Sequence, residues 1–290
     1  MIRDAEIRRF AGAAGVEPRI VELDYALGWA LRGIAMSEYL AGCLLFKGGT
    51  CLRKCYFPNY RFSEDLDFTA TERFEWKELE EAVAQAFRMA SELSGIDFAA
   101  REPRVRIIEE EYGRETLRIT HYWRGPHATA GSPSGIRMDI TREEVVVFEP
   151  CHRRVAHPFS DSGELARLEI RCYALEEVMA EKVRAVLGQR IFAVSRDLYD
   201  IFSLLDQVDE KRVWEGLPMK LDVRGVDWEG IGSHRLTDRR REFRADWDRN
   251  LIHLLPPGAG KGFDEVWDPV VNFVTRIVGS LRRDQGPGLP

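Results

Sequence analysis

No apolar run in the 290-residue chain approaches the roughly 18 residues needed to cross a bilayer. That excludes a membrane-spanning helix. Cysteine is scarce: Cys43, Cys51, Cys55, Cys151 and Cys172 make neither an even set nor a C-x-x-C pair. A disulfide framework is excluded, and a reducing compartment fits better than secretion. Positive charge is in deficit, with 42 Lys and Arg against 48 Asp and Glu for a formal net charge of −6. The whole-chain field therefore does not draw in nucleic acid or an anionic membrane, although a local basic face stays open. The opening Met-Ile-Arg-Asp-Ala-Glu has no signal-peptide core. The expectation is a cytoplasmic protein with no membrane partner. Histidine and cysteine spacing offers no convincing zinc site: His152 adjoins Cys151 and His157 lies five later without a second such pair, while Cys51 and Cys55, which face similarly on one helical turn, could serve a structural or redox role but need no metal. What the chain does have is length and a 44 % hydrophobic content, enough for one large core or two joined domains.

Periodicity organises that content. Residues 2–14 read as a helix, and a second begins at Pro18, with Ile20, Leu23, Leu27, Leu31 and Ile34 on one face. Leu-Leu-Phe at 44–46 reads as a strand entering Lys-Gly-Gly-Thr, with a short helix over 50–56. A helix is expected over 75–94, strands over 104–109 and 115–123 joined by a Glu-Tyr-Gly-Arg turn, a mobile loop over 124–135, and strands over 136–141 and 145–149. From 174 the pattern is helical: 174–187, 196–206, 209–215, 239–254 and 264–282, with a glycine-rich join over 216–237 and a frayed Gly-Pro-Gly-Leu-Pro tail. The chain thus reads as an αβ portion to about residue 160 and a helical portion beyond it.

The most informative stretch runs from Phe46 through Arg61-Phe-Ser-Glu-Asp-Leu-Asp-Phe. On a strand, Ser63, Asp65, Asp67 and Thr69 share one face while Leu66 and Phe68 take the other. The two carboxylates then stand roughly 6 to 7 Å apart at their Cα atoms, where they can converge on a divalent cation. Ile-Arg-Met-Asp-Ile-Thr at 136–141 repeats the alternation and sets Asp139 on its polar face. If the two strands are neighbours, three carboxylates meet, a set able to polarise a phosphate through metal and deprotonate a hydroxyl. Gly48, Gly49 and Thr50 would then offer backbone amides and a hydroxyl to phosphate oxygens. Alone, an Asp-x-Asp is more often a solvated sheet face and a Lys-Gly-Gly-Thr turn more often structural. Together they favour a metal and phosphate site.

These blocks resemble the AbiEii/AbiGii family of nucleotidyltransferase toxins, within the polymerase-beta-like nucleotidyltransferase superfamily. The resemblance is carried by Lys47-Gly-Gly-Thr-Cys-Leu-Arg-Lys, Arg61-Phe-Ser-Glu-Asp-Leu-Asp-Phe, the Asp139 strand, and the helices holding Lys182 and Arg196-Asp-Leu-Tyr-Asp. It implies an α+β fold: a mixed-sheet nucleotidyltransferase core with N-terminal helices over 1–160, then a helical domain over 161–290 that completes the cleft and recognises the acceptor. It implies Asp65 and Asp67 as magnesium ligands with Asp139 beside them, and a nucleoside triphosphate held by Lys47, Gly48, Gly49, Thr50, Ser63, Lys182 and Arg196. Cys51 stands where alanine or serine is the family's habit. The resemblance further implies growth arrest or phage defence, transfer RNA as an acceptor, and a cognate antitoxin as partner.

Two helices leave their own readings open. Lys182 falls in the middle of the stripe made by Leu175, Val178, Met179, Val183 and Val186, so it either snorkels past a core or reaches the catalytic cleft. On the next helix Ser195 is a candidate cap, Asp197 complements the helix dipole, and Asp200 points away from the apolar face. The resemblance instead gives Asp200 a place by the cleft, orienting Lys182 or Arg196. In 235–249 the helix pattern puts Phe243, Trp247 and Leu251 inward, with Arg240, Arg241 and Arg244 on one flank, either contacting RNA phosphate or forming ion pairs. The resulting expectation is magnesium-dependent transfer of a nucleotide to RNA. The competitors are transfer to a small-molecule or protein hydroxyl, and an inactive nucleotide-binding interaction protein.

Overall fold

In a computed structural model the chain is described at all residues except 73, 111–113, 128–130, 190–191, 223–224, 226–230, 259–260 and 285–290. The turn expected within 111–114, parts of the 124–135 and 216–237 loops, and the C-terminal Gly-Pro-Gly-Leu-Pro therefore fall outside the described residues. The chain divides into two compact units. The first comprises Met1–Glu144, Pro150–Cys172 and Leu254–Ala259; the second comprises Val145–Glu149, Tyr173–His253 and Gly260–Pro290. The architecture is α+β: a mixed sheet with flanking helices, then a helical region.

The first unit opens with α1 (Asp4–Ala14) and α2 (Pro18–Met36), followed by α3 (Glu38–Cys43). Proline at the first position of α2 costs nothing there, because that amide has no intrahelical acceptor. Next come β1 (Leu44–Lys47), α4 (Gly48–Cys51) with a π-type turn over Leu52–Tyr56, and β2 (Asp65–Ala70). Then follow α5 (Trp76–Ser94), β3 (Asp97–Glu110), β4 (Arg114–Arg124), β5 (Ser134–Thr141), β6 (Cys151–Arg154) and β7 (Glu169–Cys172). The seven strands form one sheet in the order β3-β4-β5-β2-β1-β7-β6. β2 runs parallel to β5 and antiparallel to β1, and β1 runs parallel to β7.

Alternation fixes which sheet face is closed. Leu66 and Phe68 of β2, Ile136, Met138 and Ile140 of β5, and Leu117 and Ile119 of β4 are buried, each contributing about 1.5 to 3 kcal/mol on leaving water. α2 and α5 pack together, and α5 also packs on β3. Because side chains two apart share a face, the same register that buries Leu66 and Met138 holds Asp65, Asp67 and Asp139 on the opposite, partly open face.

The second unit is helical: α6 (Leu175–Arg184) with a π-type turn over Ala185–Gln189, α7 (Ser195–Leu204), α8 (Glu210–Asp222), α9 (His234–Thr237), α10 (Arg240–Asn250) and α11 (Phe263–Asp284). α6 packs on α7 and α8, and α7 packs on α10 and α11. α8 continues past its expected end through Pro218. The burial of Val213, Leu217 and Leu221 offsets the roughly 3 kcal/mol that an interior proline costs.

Two further expectations are corrected. Residues 145–149 form no strand: the amides of Val147 and Phe148 donate instead to Oε2 of Glu177, each at 2.8 Å, so a side chain takes the place of a neighbouring strand. His152 lies on β6, a strand absent from the periodic reading, which pairs with β7. Neither four-residue strand is long enough to declare a period.

Candidate active site

The site on the first unit is built from four adjacent strands. Asp67 of β2 is directly opposite Asp139 of β5, Asp65 is opposite Arg137, and Lys47 of β1 is opposite Asp67. On the other side of β5, Arg118 of β4 is opposite Asp139. Register alone thus sets three carboxylates and three cations on one face.

Their contacts are charge-assisted. Arg118 forks onto Asp139, with Nε donating to Oδ1 and a terminal nitrogen to Oδ2, both at 2.7 Å. Those hydrogen bonds hold the Arg118 guanidinium even more firmly in its charged form than usual. Arg137 donates to Asp65 and reaches within 3.9 Å of Asp139. Alternation in 136–141 puts Arg137 on the same face as Asp139, whereas nothing in the spacing of β4 points to Arg118. Only strand pairing brings Arg118 to Asp139, because the two lie 21 positions apart.

The Lys-Gly-Gly-Thr turn is fixed against the same strand. Gly48 has φ +78°, a left-handed conformation that favours glycine, and a Cβ there would run into the Asp67 carboxylate. A Cβ on Gly49 would meet the Arg61 guanidinium and approach Ser63 Oγ to 2.9 Å. Thr50 is buried and its hydroxyl donates to the backbone carbonyl of Asp65. The two motif blocks, 47–54 and 61–68, are therefore one local structure. Ser63 precedes β2 instead of lying on it, and still packs against the turn.

A hard divalent cation takes oxygen donors, and Asp65, Asp67 and Asp139 supply them from one partly open face. The donor set fits magnesium. Asp65 and Asp139 are held by arginines, and the three acids do not draw together: among the described residues no three carboxylates bring an oxygen each within 4.8 Å of the others.

In the second unit Lys182 of α6 lies between two acids of α7, 2.6 Å from Asp197 and 2.8 Å from Asp200. Both carboxylates are buried, whereas helical period alone had pointed Asp200 away from the core. Asp197 stands in the first turn of α7, as a residue complementing the helix dipole should, and is also an ion-pair partner. Ser195 is not the cap: Val194 holds that position, and Ser195 donates its amide and hydroxyl to Asp246, each at 2.6 Å. Arg196 is half-buried at the first turn of α7. On α10 Phe243 and Trp247 are buried, and Arg240 and Arg244 both engage Asp264, at 2.6 and 2.5 Å. Arg241 is exposed.

Spacing alone sets Cys51 and Cys55 on one helical turn and gives no grounds for adding Cys172. The fold does group them: the sulfurs of Cys51, Cys55 and Cys172 all lie within 4.8 Å of one another.

Comparison with known proteins places the chain in a family. Residues 29–269 match the family described as nucleotidyl transferase AbiEii toxin, type IV toxin-antitoxin system. The chain belongs to that family, and the nucleotidyltransferase class comes with it. JHP933 from Helicobacter pylori has a similar structure, with a TM-score of 0.56 at 15 % identity over 93 % of this chain and 96 % of that one. So has MenT4, a nucleotidyltransferase toxin of Mycobacterium tuberculosis, with a TM-score of 0.57 at 22 % identity over 98 % and 93 %. At such identities the likeness is one of fold. No curated protein matches the sequence. Among the described residues no helix is long and apolar enough to cross a membrane.

Proposed function

We propose that the protein transfers a nucleotide from a nucleoside triphosphate to the hydroxyl of an RNA acceptor, releasing pyrophosphate. The observation that carries this reading is the register that sets Asp65, Asp67 and Asp139 on one face beside a turn in which Gly48 packs against Asp67. Magnesium held by Asp65 and Asp67, with Asp139 adjoining, would supply charge neutralisation on the triphosphate. Gly48 and Gly49 present bare backbone to phosphate oxygens, and Thr50 anchors that turn to β2 through the Asp65 carbonyl. Lys47 and Ser63 flank the turn. Asp139 accepts the proton of the attacking hydroxyl, and Arg118 holds its carboxylate in place. Lys182 and Arg196 carry the phosphate-binding role the family resemblance gives them, with Asp200 orienting the Lys182 ammonium. Most of the rate gain on this reading is positioning and electrostatics.

RNA, with transfer RNA foremost, is the acceptor we favour, in the setting of a cytoplasmic toxin restrained by an antitoxin. The helical domain assigned to 161–290 from the sequence would recognise it. Arg241, which is exposed, and Arg240 and Arg244, on release from Asp264, would offer cations for backbone phosphate. The test is to incubate the protein with each labelled nucleoside triphosphate, magnesium and total cellular RNA. Labelled RNA supports the reading; labelled protein or metabolite replaces its acceptor. Neutralising Arg240, Arg241 and Arg244 to glutamine should weaken RNA use and flatten its salt dependence while sparing triphosphate binding. An unchanged salt slope would move the RNA surface elsewhere.

A further inference from the structure

We infer that Cys51, Cys55, Cys172 and Cys151 form a binding site for one zinc ion, separate from the carboxylate site. Three chain segments converge there. Cys51 ends α4 and Cys55 follows in the π-type turn, a C-x-x-x-C spacing within the range of structural zinc ligands. Cys172 ends β7, which pairs with β1 at Phe46, and Cys151 begins β6 directly opposite Cys172 in the antiparallel register.

The sulfur geometry fits one ion. Those of Cys51, Cys55 and Cys172 lie within 4.8 Å of one another, and Cys151 Sγ is 3.9 Å from Cys172 Sγ. Tetrahedral zinc with bonds of about 2.3 Å puts neighbouring sulfurs about 3.8 Å apart; the three-sulfur group is near that spacing, and Cys151, which touches Cys172 but stands outside the mutual group, must move toward Cys51 and Cys55 to complete the set. A disulfide needs its sulfurs at about 2.05 Å, and pairing Cys151 with Cys172 would leave the other two unused. Four sulfurs with no carboxylate among them select a soft, thiophilic ion over magnesium. The surroundings supply countercharge and orientation: the Arg153 guanidinium hydrogen-bonds Cys151, and Tyr56 Oη lies 2.9 Å from the same sulfur. Binding breaks four S–H bonds, forms four Zn–S bonds and sends four protons to solvent; no electron moves.

Such an ion would tie three parts of the first unit together: the helix that starts at the Gly-Gly-Thr turn, the β6–β7 hairpin and, through Cys172, the edge of β1. Its role is to fix the turn's helix on the sheet, and it does not depend on the chain being a transferase.

The experiment uses the full chain, reduced, stripped of metal by a chelator and titrated with zinc and then with cobalt(II). The expected result is one zinc retained per chain through gel filtration, a rise in melting temperature, and a cobalt form with thiolate charge-transfer absorption. The double substitution Cys55→Ser with Cys151→Ser should lower affinity by roughly tenfold or more, whereas Cys43→Ser and Asp65→Asn should leave it intact. A second measurement stands if the cysteine variants do not fold: zinc should shield Cys55 and Cys151, the two partly exposed thiols of the wild type, from iodoacetamide. A folded, reduced wild type that retains no zinc overturns the inference. So does equal binding by the double variant, unchanged alkylation, or a Cys151–Cys172 disulfide in anaerobically purified protein.

Discussion

Asp67 and Asp139 face each other across neighbouring parallel strands, and the second of them is clasped on its far side by both arms of the Arg118 guanidinium. The pair puts two acids with different neighbours within one site. Asp67→Asn and Asp139→Asn each remove a charge with almost no change of volume, at positions that are not fully buried. Each should cut nucleotide transfer by roughly a hundredfold or more while the melting temperature moves little. Turnover measured beside a circular-dichroism melt checks this, and a folded variant at wild-type turnover would remove its carboxylate from the mechanism.

Gly48→Ala tests the turn. The left-handed backbone there costs an L-residue roughly 1 to 2 kcal/mol, and the added methyl collides with the Asp67 carboxylate. The expected outcome is a stability loss of about that size with a far larger loss of activity, since Asp67 must move. Chemical unfolding and a turnover assay on the same preparation separate the two; equal, small effects would mean the turn tolerates displacement of Asp67.

Lys182 neutralises two buried acids, so Lys182→Met is not a mild packing change. The variant leaves Asp197 and Asp200 without their shared cation and should lose about 3 to 5 kcal/mol of stability. Adding Asp197→Asn and Asp200→Asn should restore much of it. If the restored triple variant regains folding but not turnover, the ammonium acts on substrate as well as on its neighbours; full turnover would leave it a structural residue.

His121 on β4 is 4 % exposed and stacks on Phe87, with ring centroids 3.7 Å apart. Burial lowers its pKa from the ordinary histidine value of 6.5 to about 4. Folding therefore favours the neutral ring. Its contribution is fully present above pH 6.5, declines as the unfolded chain takes up a proton, and is lost once pH falls through about 4. The span amounts to about 3 kcal/mol. His121→Leu should flatten unfolding free energy against pH in that window, and an unchanged slope would assign the acid sensitivity to other groups.

Much of this was legible without coordinates. The alternation in Asp65–Phe68 and Ile136–Ile140 determined which side chains face the core, because a strand offers only two faces and burying Leu66 and Met138 commits the aspartates to the other. The spacing in α5 and α10 determined their buried faces in the same way, whereas α2 is buried on nearly every side, Glu22 and Asp24 included, which its apolar period did not show. Tertiary structure alone decided everything that required two distant segments to meet. The pairing of β2 with β5 in one particular register set Asp67 against Asp139, and β4 brought Arg118 to it. The docking of α6 on α7 turned Asp200, exposed by its own period, into a buried partner of Lys182. The β6–β7 hairpin carried two solitary cysteines to the helix holding two more. Local periods express the geometry of one segment, whereas register and docking are settled by the free energy of burying several segments at once.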